Sequence, residues 1–206
     1  MYKRLVLLSA IAALGLGGQA LAEGISYSYV EGDYVHSKLK GYGDSISGDG
    51  FKFSGSAGFG MNWLGFLDIG SSKYSESGSS LKFTPTAIGL GFHTALGESA
   101  DFSAGASYDR VKVSFSGLGN QTESGWGLRA ALRGMAGEKV EWSVGLKYRD
   151  VGDLKSIFGV SVGGRYYFTP AFAVGLDLSS DKYDKDSLDV KEQVLPAVTF
   201  RFNIGG

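Results

Sequence analysis

Cysteine is absent from all 206 residues, which excludes disulfide staples, thiolate metal sites and a cysteine nucleophile. Histidine occurs only at His36 and His93, so any acid–base or triad site must use one of them or carboxylates alone. Neither sign of charge dominates. With 20 Lys and Arg against 21 Asp and Glu, the formal charge of −1 gives no support to nucleic-acid binding through a basic field. Proline is scarce, at three residues, and no apolar run beyond the first twenty-two residues is long enough for a membrane-spanning helix. Any membrane span must then be made of strands. What is abundant fits that requirement: 33 glycines, and aromatics at 13% of the chain, suit the small lumen residues and interfacial girdles of a barrel.

The first twenty-two residues read as a secretion signal. Lys3 and Arg4 give a positive start, an apolar middle runs from Leu5 to Leu16, and Ala20 and Ala22 flank Leu21 ahead of the expected cut before Glu23. Residues 23–206 are expected to form one domain.

Period-two alternation organises that domain. From Trp126 to Arg149, even positions are apolar (Trp126, Leu128, Leu132, Val140, Trp142, Val144, Leu146), while Arg129, Arg133, Glu141, Lys147 and Arg149 fall on the odd ones. A short glycine-bearing turn separates the two arms, so the stretch is an antiparallel hairpin. The same alternation recurs along the chain and gives ten strands. Tight turns are expected near Asn62, Gly97, Gly137 and Pro170. Polar loops are expected at 41–50, 74–80, 117–125, 150–155 and 180–189. Short turns alternating with longer loops, and an even strand number, predict an all-β transmembrane antiparallel up-and-down barrel, with eight strands or a soluble sandwich as alternatives. Two bulges are expected where apolar parity changes, near Val30 to Gly32 and just past Asp109.

The signal segment, the alternating strands and the closing Val198-Thr199-Phe200-Arg201-Phe202 resemble the outer-membrane β-barrel superfamily of Gram-negative bacteria, in its OmpA-like and opacity-protein group. The opening EGISYSYVEGDYV is similar to the mature start of small barrels from plant-associated and opportunistic species. The resemblance implies residence in the outer membrane as a monomer, escort by periplasmic chaperones, and contact with outer-membrane lipid and lipopolysaccharide. It also implies recognition of Phe200 and Phe202 by the barrel-assembly machinery. The tail Asn203-Ile204-Gly205-Gly206 departs from the pattern, since such chains usually stop at the aromatic.

No catalytic motif surrounds either histidine, and His93 is expected to face the lumen in a structural role. No cofactor is implied. The acidic stretch Asp181, Asp184, Asp186 and Asp189 lacks calcium-loop spacing and is interleaved with Lys182 and Lys185, which favours a solvated loop. The informative set lies opposite the apolar positions: Lys52, Asp68, Arg129, Arg133, Glu141, Lys147, Arg149, Arg165, Asp177 and Arg201. A Lys or Arg facing lipid at the midplane costs about 2–4 kcal/mol, so these are expected inside, paired with one another. Two readings remain open: a plug of ion pairs, or a slightly cation-lined narrow channel for small solutes. At the outer rim Lys38, Lys40, Lys73, Lys82, Arg110, Lys112 and Lys155 fall just beyond the apolar bands. Lys73, Lys82, Arg110 and Lys112 are the candidate contacts for lipopolysaccharide phosphates. The function expected is a non-enzymatic envelope protein serving integrity, adhesion or host contact, with the passive channel as the alternative.

Overall fold

A computed structural model describes residues 25–41, 45–76, 79–117, 119–154, 156–184 and 190–204; the signal segment, with Ala20 and Ala22, lies outside them. Ten antiparallel strands follow one another around a closed barrel: β1 Tyr29–Gly41, β2 Ser45–Phe59, β3 Trp63–Glu76, β4 Ser79–Ala95, β5 Ala100–Phe115, β6 Gly119–Ala136, β7 Val140–Val151, β8 Ser156–Thr169, β9 Phe172–Tyr183 and β10 Val190–Asn203. Pairing of β1 with β10 completes the closure, so no strand edge is left for lipid to meet. The turns at 60–62, 96–99, 137–139 and 170–171 share one rim. Gly60, Gly97 and Gly137 supply positive φ there, of 61°, 87° and 71°.

The strands hold 12 to 18 residues, more than the roughly 9–11 that a tilted strand needs to cross a bilayer. The apolar outward band begins at the turn rim with Trp63, Phe92, Phe168, Phe172 and Phe202, where Phe172 stands 4.8 Å from Phe202. It ends at a second girdle that includes Tyr34 with Phe51 at 5.5 Å and Trp126 with Tyr148 at 5.5 Å. Beyond that girdle the strands continue, and their polarity inverts.

Inversion explains what the sequence misleads on. Val111 and Val113 keep the inward parity of Asp109, and β5 pairs with β4 without a break, so there is no bulge past Asp109. In the lipid zone the inside is polar. Past it the outside meets water, and the inside becomes an apolar core of Leu39, Tyr74, Phe83, Val111, Val113, Val151, Leu154 and Ile157. The expected loops are for the same reason largely strand: β2 starts at Ser45, while β3 and β4 run to Glu76 and from Ser79. Their polar, glycine-rich outward faces suit a sheet whose buried side is apolar.

The bulge expected near Val30 to Gly32 is also absent. β1 pairs with β2 continuously from Tyr29 to Lys40, and its one irregularity, against β10, falls at Lys40/Gly41. Ile25 and Tyr27 precede the strand. They fold into the mouth at the turn rim, against Leu64 and Phe66 with Met135 alongside. Odd positions of β1 therefore point inward and bring Glu31 and Asp33 into the lumen.

Candidate functional site

The lumen is layered. Nearest the turn rim lies an ionic layer built from six strands. Arg133 on β6 grips Glu141 on β7 with two hydrogen bonds, of 3.1 and 2.9 Å. Arg201 on β10 donates to Glu141 at 3.0 Å and to Glu31 on β1 at 2.8 Å. Arg165 on β8 donates to Glu31 at 2.8 Å and to Asp177 on β9 at 2.7 Å, and Tyr167 donates to Glu141 at 2.8 Å. Three guanidinium groups thus meet three carboxylates, and apart from Asp177 all are buried. Bidentate charge-assisted bonds between planar groups suit such a layer, where an unpaired charge would be costly.

Above it is a looser polar layer. Arg129 lies 2.6 Å from Asp68, which also accepts from Ser54 at 2.7 Å, and the Arg129 guanidinium covers the Phe66 ring at 3.5 Å. Lys147 and Arg149 share Asp181 at 2.9 Å each, and Lys52 stands 3.5 Å from Asp33. A cavity of about 360 Å³ opens among these groups. Inward glycines make the room: a Cβ on Gly159 would meet Lys147 at 2.4 Å, and one on Gly163 would meet Asp177 at 1.7 Å.

All ten inward charges named from the sequence sit in these two layers. Missing from that set were Glu31 and Asp33, hidden by the misread start of β1, and Asp181, assigned to a loop although β9 extends to Tyr183. Asp101 and Asp109 lay on the inward parity without being singled out. With these acids present, the lining is balanced rather than cationic.

Among the described residues, packed side chains occupy both ends of the lumen. At the outer end the apolar core is joined by a polar knot: Gln193 donates to Tyr74 at 2.7 Å and to Ser37 at 2.9 Å, Tyr74 and Ser37 hydrogen-bond each other, and Tyr183 donates to Gln193 at 2.9 Å. At the turn end the segment before β1 sits beneath the ionic layer, held by Arg133 to the Ser26 carbonyl at 3.1 Å and by Ile204 N–H to the Ser28 carbonyl at 2.8 Å. His93 stacks on Tyr27 with ring centroids 4.0 Å apart and lies 3.6 Å from Asp101. It is 2% exposed, packed among its neighbours.

His36 is outside the barrel. Its Nδ1 is 2.9 Å from Asp49, which also accepts from Tyr34 at 3.0 Å, and among the described residues no hydroxyl bonds to the ring. Those hydrogen bonds, His36's first, hold the Asp49 carboxyl below the ordinary carboxylate range. Lys38, Lys40, Lys73, Lys82, Arg110 and Lys112 are exposed on the outer part of β1 and β3 to β5; Lys155, Asp186 and Asp189 lie outside the described residues.

No protein-family model matches the chain, and no curated protein matches it in sequence. Among solved structures, Neisserial surface protein A (NspA) superposes with a TM-score of 0.52 at 15% identity, over 87% of this chain and 98% of that one. The fold is that of a small outer-membrane β-barrel. The translocator domain of autotransporter NalP from Neisseria meningitidis gives a TM-score of 0.49 at 13% identity, covering 96% of this chain and 94% of that one. Ail, the attachment invasion locus protein of Yersinia pestis, gives 0.43 at 14%, covering 86% and 99%. At such identities the likeness is one of fold.

Proposed function

We propose that this protein is a non-enzymatic outer-membrane barrel without an open pore, whose strand-built extension meets the surroundings and serves envelope integrity, adhesion or host contact. The observation that carries this reading is the packing of side chains at both ends of the lumen, the ionic layer with Ile25 and Tyr27 beneath it and the apolar core above. A surface partner would meet a rigid sheet rather than long loops, which lowers the ordering entropy of binding. Assembly runs through periplasmic chaperones and the barrel-assembly machinery, which reads Phe200 and Phe202, and the product is a monomer in contact with lipopolysaccharide.

The test is conductance of the refolded protein in planar bilayers. The closed reading expects no unitary current steps. The other reading, a narrow passive channel for small solutes, draws on the cavity of about 360 Å³ between the two seals, and steady ohmic steps would establish it instead.

A further inference from the structure

Lys73, Lys82, Arg110 and Lys112 form a patch on the outward faces of β3, β4 and β5, immediately beyond the level where polarity inverts. Below them on the same faces stand Ile69, Ile88 and Tyr108, exposed members of the apolar band. Inward at the same height are Tyr74, Phe83 and Val111 of the outer core, so these cations cannot turn inside.

Their arrangement is unfavourable by itself. Lys73 and Lys82 are direct partners across the β3–β4 ladder. Lys112 is diagonal to Lys82, whose own partner on β5 is Ser114, and Arg110 follows two residues along. Direct partners on one face have Cβ atoms about 4.5–5.5 Å apart and diagonal ones about 7–8 Å, within reach of long side chains, and like charges so placed repel. Among the described residues none of the four has a carboxylate partner. Asp49, opposite Lys73 in the β2–β3 ladder, is engaged by His36 and Tyr34 instead. The far side of the barrel differs: there Lys40 pairs with Glu192 at 2.9 Å, and Lys182 stands opposite the same Glu192. On β3 to β5, by contrast, four cations stand together without such a partner among the described residues. Apart from Asp49, their neighbours include the hydroxyl groups of Ser75, Ser80, Thr84 and Ser114, with the apolar band below.

We propose that this patch binds the two phosphates of a bis-phosphorylated glycolipid, the anchor of lipopolysaccharide in the outer leaflet, one between Lys73 and Lys82 and the other between Arg110 and Lys112. The acyl chains then lie along the apolar band of β3 to β5. Each phosphate removes a like-charge contact while forming charge-assisted hydrogen bonds. A headgroup with two phosphates engages both cation pairs at once, and the second contact is made at high effective concentration. The proposal rests on the outer-membrane placement of the barrel, and is independent of whether the lumen conducts.

The test refolds the protein in phosphatidylcholine bilayers alone, with bis-phosphorylated lipid A, or with phosphatidylglycerol at equal charge, and follows thermal unfolding by the heat-modified gel shift. Lipid A is expected to raise the midpoint by several degrees, and phosphatidylglycerol by clearly less. The combined variant Lys73→Ala, Lys82→Ala, Lys112→Ala should lose most of the rise. Its Lys→Arg counterpart, and Lys40→Ala with Lys182→Ala on the far side, should keep it. The unheated gel position reports that each variant is folded before heating. No rise in the wild type, an equal rise from phosphatidylglycerol, or an equal rise in the triple alanine variant overturns the proposal. Failure of the membrane placement would show separately, as failure to insert into plain phosphatidylcholine, and failure of the closed-lumen reading as current steps.

Discussion

Arg201 on the last strand donates its Nε–H to Glu31 on the first, 2.8 Å away and directly opposite it across the seam that closes the barrel. Arg165 reaches the same carboxylate from β8, so one acid ties the seam to a strand two places beyond β10. Glu31→Ala would leave two buried guanidinium groups short of a partner. Removing one member of a buried ion pair costs about 3–5 kcal/mol, and urea unfolding of the refolded barrel should show a loss of that size. A loss below about 1 kcal/mol, the scale of exposed pairs, would mean that water reaches this layer.

Phe83 packs in the apolar core of the extension. Phe83→Ala should cost about 3–5 kcal/mol through lost burial and the cavity left behind. The effect should be local as well as global, because this end of the strands is held by that core. Trypsin should then cut after Arg110 and Lys112 in the variant, while the wild-type ladder protects both bonds. Protection in the variant equal to that in the wild type would show that the ladder alone orders the extension.

The ten strands and four tight turns were legible because period two and glycine-bearing turns are local signals. Ten inward charges were legible because within the lipid zone only one face can bear Arg129 or Arg165. Periodicity reports parity, however, and not which medium each face meets. On β5 the medium changes past Tyr108, so an unbroken alternation with Val111 and Val113 inside looked like a bulge. At the start of β1, Ile25 and Tyr27 share the odd parity of Tyr29 but belong to a segment outside the sheet, which masked Glu31 and Asp33. No local pattern could reveal that the seam partner of Arg201 was Glu31. It is a contact between the two ends of the chain.

Phe202 faces outward with its ring 4.8 Å from Phe172, a contact worth about 0.5–1.5 kcal/mol beyond area burial. If Phe202 also carries the assembly signal, Phe202→Ala should refold in detergent with only that small loss. In cells, the amount of heat-modifiable barrel in the outer membrane should fall severalfold, more than for Phe172→Ala. Equal falls for the two variants would assign Phe202 to packing alone.

At the outer end two exposed carboxyls are held below their ordinary range, Asp49 by hydrogen bonds with His36 and then Tyr34, and Glu192 by Lys40 at 2.9 Å and then Ser180 at 2.8 Å. A carboxyl depressed in the folded state stabilises it at pH values above the unfolded value, about 4, and that contribution fades as pH falls through the folded value. Both groups act in the same direction. The variant Asp49→Asn with Glu192→Gln should therefore unfold at a lower temperature than the wild type at pH 7, and the gap should narrow as the pH falls below about 4. The contribution is small because both sites are wet, and it should shrink further in high salt. A gap that stays constant from neutral to acidic pH would show that the amide variants disturb packing, and that the ionised carboxyls contribute nothing to the outer end.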